Sequence, residues 1–195
     1  MEKAIFLDRD GTINKDTGYV SQIKEFEFLP GVVEALKILN DLGFLLIIIT
    51  NQSGIARGFY SENDFVKLDN WMRSELLKHG IRISKTYYCP HLSISNIPKY
   101  RKACQCRKPK TGLFEQAIRE FNIDLKNSFV IGDHMRDCEL ARKNKCYGML
   151  VGNTEDLRII KKVSDGKYSN ILYFENLFQC ALYIKKVSTS NKFND

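Results

Sequence analysis

The sequence predicts an α/β fold, a doubly wound and mainly parallel sheet with helices on both faces. Two observations carry that prediction. Six short apolar runs recur along the 195 residues, at Ala4–Leu7, Phe44–Ile49, Thr86–Cys89, Phe129–Ile131, Gly148–Val151 and Ile171–Phe174. Each is apolar on consecutive positions and rich in β-branched or aromatic residues, as strands buried on both faces are. Between them lie amphipathic stretches long enough to cross from one parallel strand to the next.

Taken in order, Ala4–Leu7 is the first strand. Val32, Val33, Leu36 and Leu39 share one helical face after Pro30, which suits a first helical position. Phe44–Ile49 follows as the second strand. Ser61 and Asp64 form a capping pair for a helix carrying Phe65, Leu68, Trp71 and Met72, with His79 at its end. After Thr86–Cys89 comes the least regular stretch, His91 to Pro109; a loop of that length in a compact domain is usually functional or disordered. Leu113, Ala117, Ile118 and Phe121 make a further helical stripe before the remaining strands. Residues 1–187 read as one domain, with a distinct loop at 89–106, and Ser188–Asp195 as a polar tail.

Composition narrows the function. At 44% hydrophobic and 27% charged, the chain is not disordered, collagen-like or membrane-embedded. Thirty Lys and Arg against 23 Asp and Glu give a net charge of +7, compatible with nucleic acid, anionic membranes or phosphorylated small molecules. Part of the excess is local: Lys99, Arg101, Lys102, Arg107, Lys108 and Lys110 lie within twelve positions. No basic motif interleaved with aromatics, as nucleic-acid folds use, is present. The four apolar residues before Asp8 are too few for a signal peptide, and no run approaches the roughly 20 residues that span a bilayer. The expected location is therefore the cytoplasm, where the six cysteines stay reduced.

In a doubly wound sheet, ligands bind beyond the carboxyl ends of the strands. Asp8-Arg9-Asp10-Gly11-Thr12, Thr50-Asn51-Gln52-Ser53-Gly54 and Gly132-Asp133 fall at such ends. Asp8 is placed to attack phosphorus as a carboxylate nucleophile, and Asp10 to protonate the departing alkoxide and later activate water. Asp133 would help hold Mg²⁺, and Thr50 and Lys108 would stabilise the phosphoryl oxygens. An isolated Asp-x-Asp-Gly also suits an ordinary polar turn; the other strand ends weigh against that.

Cys89-Pro90-His91 and Cys104-Gln105-Cys106 pair four soft or borderline ligands across an otherwise unanchored loop. Their spacing suits a closed tetrahedral Zn²⁺ site of structural role, although single Cys-x-Cys pairs also occur by chance. Such a site would fix Lys108 against phosphate, and Arg107 could pair with a second phosphate or substrate oxygens. Cys138, Cys146 and Cys180 read as core.

The set Asp8-Arg9-Asp10-Gly11-Thr12, Thr50, Lys108 and Gly132-Asp133…Asp137 resembles the four motifs of the haloacid dehalogenase (HAD) superfamily. Within it, the chain is similar from about Ala4 to Val151 to the D,D-heptose 1,7-bisphosphate phosphatases and their sister histidinol-phosphatases. The resemblance implies a HAD-like Rossmannoid domain without a large cap, with substrate selection left to loops. It implies Asp8 as nucleophile, Asp10 as general acid/base, and Mg²⁺ on Asp8, the Asp10 backbone carbonyl and Asp133. It also implies zinc on Cys89, His91, Cys104 and Cys106, and substrate contacts from Asp16, Thr17, Gly18 and Tyr19 and from Asn51, Gln52 and Ser53. One departure stands out. His134 replaces the Lys that relatives usually carry there for substrate binding, and it could still donate a hydrogen bond. The expected activity is removal of the 7-phosphate from D-glycero-D-manno-heptose 1,7-bisphosphate by a monomer with no nucleic-acid or membrane partner. A histidinol-phosphate or other small-phosphomonoester phosphatase is the alternative, and a basic nucleic-acid-binding module the reading from another class.

Overall fold

The computed structural model describes residues 1–143, 146–152 and 157–190. Its six strands are β1 (Ala4–Leu7), β2 (Leu45–Asn51), β3 (Ile83–Cys89), β4 (Phe129–Gly132), β5 (Tyr147–Val151) and β6 (Ile171–Phe174). They form one all-parallel sheet in the order β3-β2-β1-β4-β5-β6. The chain turns outward in both directions from β1, so the switch in strand order lies at β1 and its neighbours β2 and β4. Register aligns their ends, with Leu7 beside both Ile48 and Ile131.

Alternation along β1 explains the two-sided core. Ile5 and Leu7 face a layer made by α1 (Val32–Asp41), α3 (Glu62–Lys78) and α7 (Leu177–Thr189). Ala4 and Phe6 face α4 (Gly112–Phe121), α5 (Glu139–Lys143) and α6 (Leu157–Ser164). Phe6 meets Phe114 of α4 edge to face at 5.4 Å. Burial of each such side chain stabilises the fold by about 1.5–3 kcal/mol. Cys138, Cys146 and Cys180 are buried in these layers as expected, and Trp71 packs half-buried against the first.

The capping pair is present: Ser61 Oγ accepts from the Asp64 amide at 3.1 Å, and Asp64 Oδ2 accepts from the Ser61 amide at 2.9 Å. Three expectations shift. Pro30 lies outside α1, whose N-cap is Gly31 at φ +75°, pressed so close to Phe178 of α7 that a Cβ would sit 3.2 Å from it. β2 runs through Thr50 and Asn51, which pair with Tyr88 and Cys89 rather than following the strand. β3 starts at Ile83, its Ser84 and Lys85 tolerated because it is an edge strand. The stretch from His91 to Pro109 holds only one short 3₁₀ turn, Pro98–Tyr100. Of the expected tail, Ser188 and Thr189 belong to α7, and residues 191–195 lie outside the described residues. No helix among the described residues is long and apolar enough to cross a membrane.

Candidate active site

Asp8 follows β1 directly, its amide still bonded to Ile131 O of β4 at 2.9 Å. The chain then turns at Gly11, φ +85°, where a Cβ would fall on the Asp133 carboxylate. A second close approach occurs at Gly132, where a Cβ would overlap Asp137. Glycine at both positions lets the acids after β4 press against the turn after β1.

Lys108 closes the site from the irregular loop. Its side chain is 2% exposed, with Nζ 2.8 Å from Asp8 Oδ1, 2.7 Å from Asp137 Oδ1 and donating to Ile49 O at 2.7 Å. Burial alone would lower the Lys108 pKa, but Asp137 and Asp8 outweigh it and hold the amine above its ordinary value. Burial pushes the Asp8 carboxyl up to about 7 despite the pull of Lys108, with Asp137 and Asp133 adding to the rise. Asn51 fixes the loop backbone, accepting from the Lys108 amide at 3.0 Å and donating to its carbonyl at 3.2 Å.

Asp10 is held on its other side. The Arg9 guanidinium, 1% exposed, grips it through Nε and Nη2, with Nη2 2.8 Å from Oδ1. Asn14 Nδ2 donates to Asp10 at 3.1 Å and Gln52 Nε2 at 2.8 Å. Gln52 also donates to Thr50 Oγ1 at 2.9 Å and accepts from the Tyr60 hydroxyl. This chain of bonds orients both the carboxyl and the threonine hydroxyl.

A cavity of about 410 Å³ opens over these groups. Of the sequence-predicted residues, Asp8, Asp10, Thr50, Asp16, Gly18, Tyr19, Asn51, Gln52, Ser53 and Arg107 line it. Asn51 and Gln52 spend their amides inside the protein, so their roles are positional as well as facing the cavity. Thr17 is not among the lining residues. Neither is His134, which turns its Nδ1 to Asp133 Oδ2 at 2.9 Å. The Asp133 bond raises the His134 pKa above its ordinary value. Arg57, Tyr60 and Arg136 line the cavity without having been singled out. Helical spacing from Ser53 puts Arg57 on the same face of α2 (Ser53–Arg57), a signal the sequence did contain. Asp137 was visible in the motif but without a role.

The cysteines and histidine converge. Sγ–Sγ separations are 3.5 Å for Cys89–Cys104, 3.1 Å for Cys89–Cys106 and 3.0 Å for Cys104–Cys106; His91 Nδ1 lies 3.2 Å from Cys106 Sγ. No disulfide joins them. The four donor atoms lie within 4.8 Å of one another and could hold a metal ion.

A family model described as polynucleotide kinase 3 phosphatase matches residues 3–156. The chain is 44% identical over 186 residues, 95% of its length and 98% of the relative's, to a D-glycero-beta-D-manno-heptose-1,7-bisphosphate 7-phosphatase of Pasteurella multocida. It is 43% identical over 179 residues, 91% and 96% of the two chains, to a Campylobacter jejuni protein named for the alpha anomer. It belongs to the heptose-bisphosphate phosphatase family. The phosphatase also shares its fold with the D,D-heptose 1,7-bisphosphate phosphatase of B. bronchiseptica, a structure complexed with magnesium and phosphate. There the TM-score is 0.80 at 28% identity, covering 95% and 99% of the two chains. The phosphatase is thus a phosphoric monoester hydrolase of HAD type. Its own residues fit a hard divalent cation: Asp133 Oδ1 is buried with no hydrogen-bond donor among the described residues, beside the Asp8 carboxylate.

Proposed function

We propose that this phosphatase removes the 7-phosphate of D-glycero-D-manno-heptose 1,7-bisphosphate through an aspartyl-phosphate on Asp8. The observation that carries this reading is the buried Lys108–Asp8 pair at 2.8 Å, with Asp10 and Thr50 opening onto the same cavity. The relatives' names supply the sugar.

Asp8 attacks phosphorus as the bond from phosphorus to the sugar oxygen breaks. Asp10, held by Arg9, Asn14 and Gln52, gives its proton to that oxygen. It then takes a proton from the water that attacks the phosphoenzyme, releasing inorganic phosphate and regenerating Asp8. Thr50 and Lys108 stabilise the phosphoryl oxygens. Asp8, the Asp10 carbonyl and Asp133 would hold Mg²⁺, whose charge offsets repulsion between the Asp8 carboxylate and the phosphoryl group. Cys89, His91, Cys104 and Cys106 suit a structural Zn²⁺ that anchors the loop delivering Arg107 and Lys108. We take residues 1–187 as one domain, monomeric and cytoplasmic, engaging neither nucleic acid nor membrane.

The test is phosphate release with Mg²⁺ from a panel: both heptose bisphosphate anomers, fructose 1,6-bisphosphate, histidinol phosphate and a 3′-phosphorylated oligonucleotide. A heptose bisphosphate is expected to give the highest kcat/KM. Preference for histidinol phosphate or the oligonucleotide would overturn the substrate while leaving the chemistry in place.

A further inference from the structure

Three acids and three arginines line the cavity over Asp8, and their pairing is lopsided. Asp8 is matched by Lys108, Asp10 by Arg9, and Asp16 accepts from the Gly18 amide at 2.9 Å. Arg57, Arg107 and Arg136 have no carboxylate partner among the described residues. Arg107 Nη1 is buried and still takes no acceptor. Buried donors are rarely left so without a ligand to satisfy them.

The three arginines come from separate segments. Arg57 ends α2, where its guanidinium lies 5.8 Å from the Tyr19 ring centroid. Arg107 precedes Lys108 in the irregular loop. Arg136 stands in the turn between β4 and α5, exposed, two residues from a His134 that bonds to Asp133 and does not line the cavity. One exposed arginine is ordinary surface. Three from different segments on one cavity outnumber its one carboxylate without a cationic partner, Asp16, and leave unpaired positive charge facing the substrate. The transferred phosphoryl group is already served by Lys108 and Thr50 next to Asp8. The surplus matches a second dianion held at a distance from the first, recognised through planar, bidentate guanidinium contacts.

We propose that Arg136 and Arg57, with Arg107, form the subsite for the phosphate that is not transferred, and that Arg136 decides between bisphosphates and monophosphates. The assignment rests on the bisphosphate reading above. Arg136, not His134, is then the cation that the segment after β4 offers to substrate.

The experiment compares kcat/KM for the heptose 1,7-bisphosphate with that for the heptose 7-phosphate, in wild type, Arg136→Gln, Arg57→Gln and Arg136→Lys. Wild type favours the bisphosphate. Each Gln variant lowers that preference about tenfold or more, the scale of a lost charge-assisted contact, and Arg136→Lys keeps part of it. A preference present in wild type and unchanged in Arg136→Gln overturns the assignment alone. So does an equal loss on both substrates, which marks a structural role. Wild type that turns over both alike overturns the bisphosphate reading and the assignment together.

Discussion

Lys108 carries its charge where water scarcely reaches, and Asp137 matters because it is one of two carboxylates that make this tolerable. Removing one partner from a buried pair leaves the other charge uncompensated, at a cost of about 3–5 kcal/mol. Asp137→Ala should therefore lower stability by that order in urea unfolding; a loss under 1 kcal/mol would show the pair to be dispensable. If Asp8 is the proposed nucleophile, phosphate release should vanish in Asp8→Asn; intact release would overturn its assignment. Arg9 tests Asp10 without touching it. Arg9→Met frees the carboxyl from its bidentate grip; if Asp10 is the proposed general acid, kcat should fall roughly tenfold or more with little change in KM, since general acid–base catalysis contributes about 10²–10⁴. Alkyl phosphates, whose leaving alkoxide needs the proton, should suffer more than activated aryl phosphates. A uniform loss across leaving groups would reduce Arg9 to a packing role.

At the scale of elements, the loop from His91 to Pro109 is tied down twice. One tie is the Cys/His cluster. If it holds zinc, metal analysis of Cys104→Ser should show loss of about one equivalent, and unchanged metal content would sink that proposal. The other tie is Glu62 at the start of α3, which accepts from Lys99 at 2.7 Å, Tyr100 at 2.7 Å and Tyr88 at 2.8 Å. Those bonds lower the Glu62 pKa from 4.5 to about 2. A depressed carboxyl stabilises the fold above pH 4.5 and loses that contribution as pH falls toward 2. Glu62→Gln should thus lower the urea midpoint at pH 7, with the gap from wild type narrowing below pH 4.5. A constant gap would exclude the ionised clamp. Motif spacing found the Cys/His cluster because closed zinc sites draw mostly on thiols and imidazoles in close pairs. The second was hidden, because a glutamate in a helix's first turn and a tyrosine in a loop look like ordinary surface. Asp137 was visible in the motif, but an acid in the turn after a strand shows that a charge is there and not which lysine it meets. Strands buried on both faces were legible as apolar runs, whereas β3, an edge strand carrying Ser84 and Lys85, was read three residues short.

For the molecule as a whole, strand order explains why so much of the site could be read from the chain. A parallel sheet places the C-terminal ends of its strands on one side, so an acid after β1, a threonine ending β2 and an acid after β4 must converge. The core that holds these ends in register is tight, and Phe6→Ala should cost about 3–5 kcal/mol. Strand β1 sits between two neighbours and beneath two helical layers, so its amides should exchange with deuterium only on global unfolding. Lys108 reaches Asp8 from a segment with almost no regular structure, which can open without unfolding the sheet. The enzyme's working life is therefore shorter than its fold's. Rising urea should extinguish turnover before helical ellipticity changes, because Asp8 stays in place after Lys108 has left.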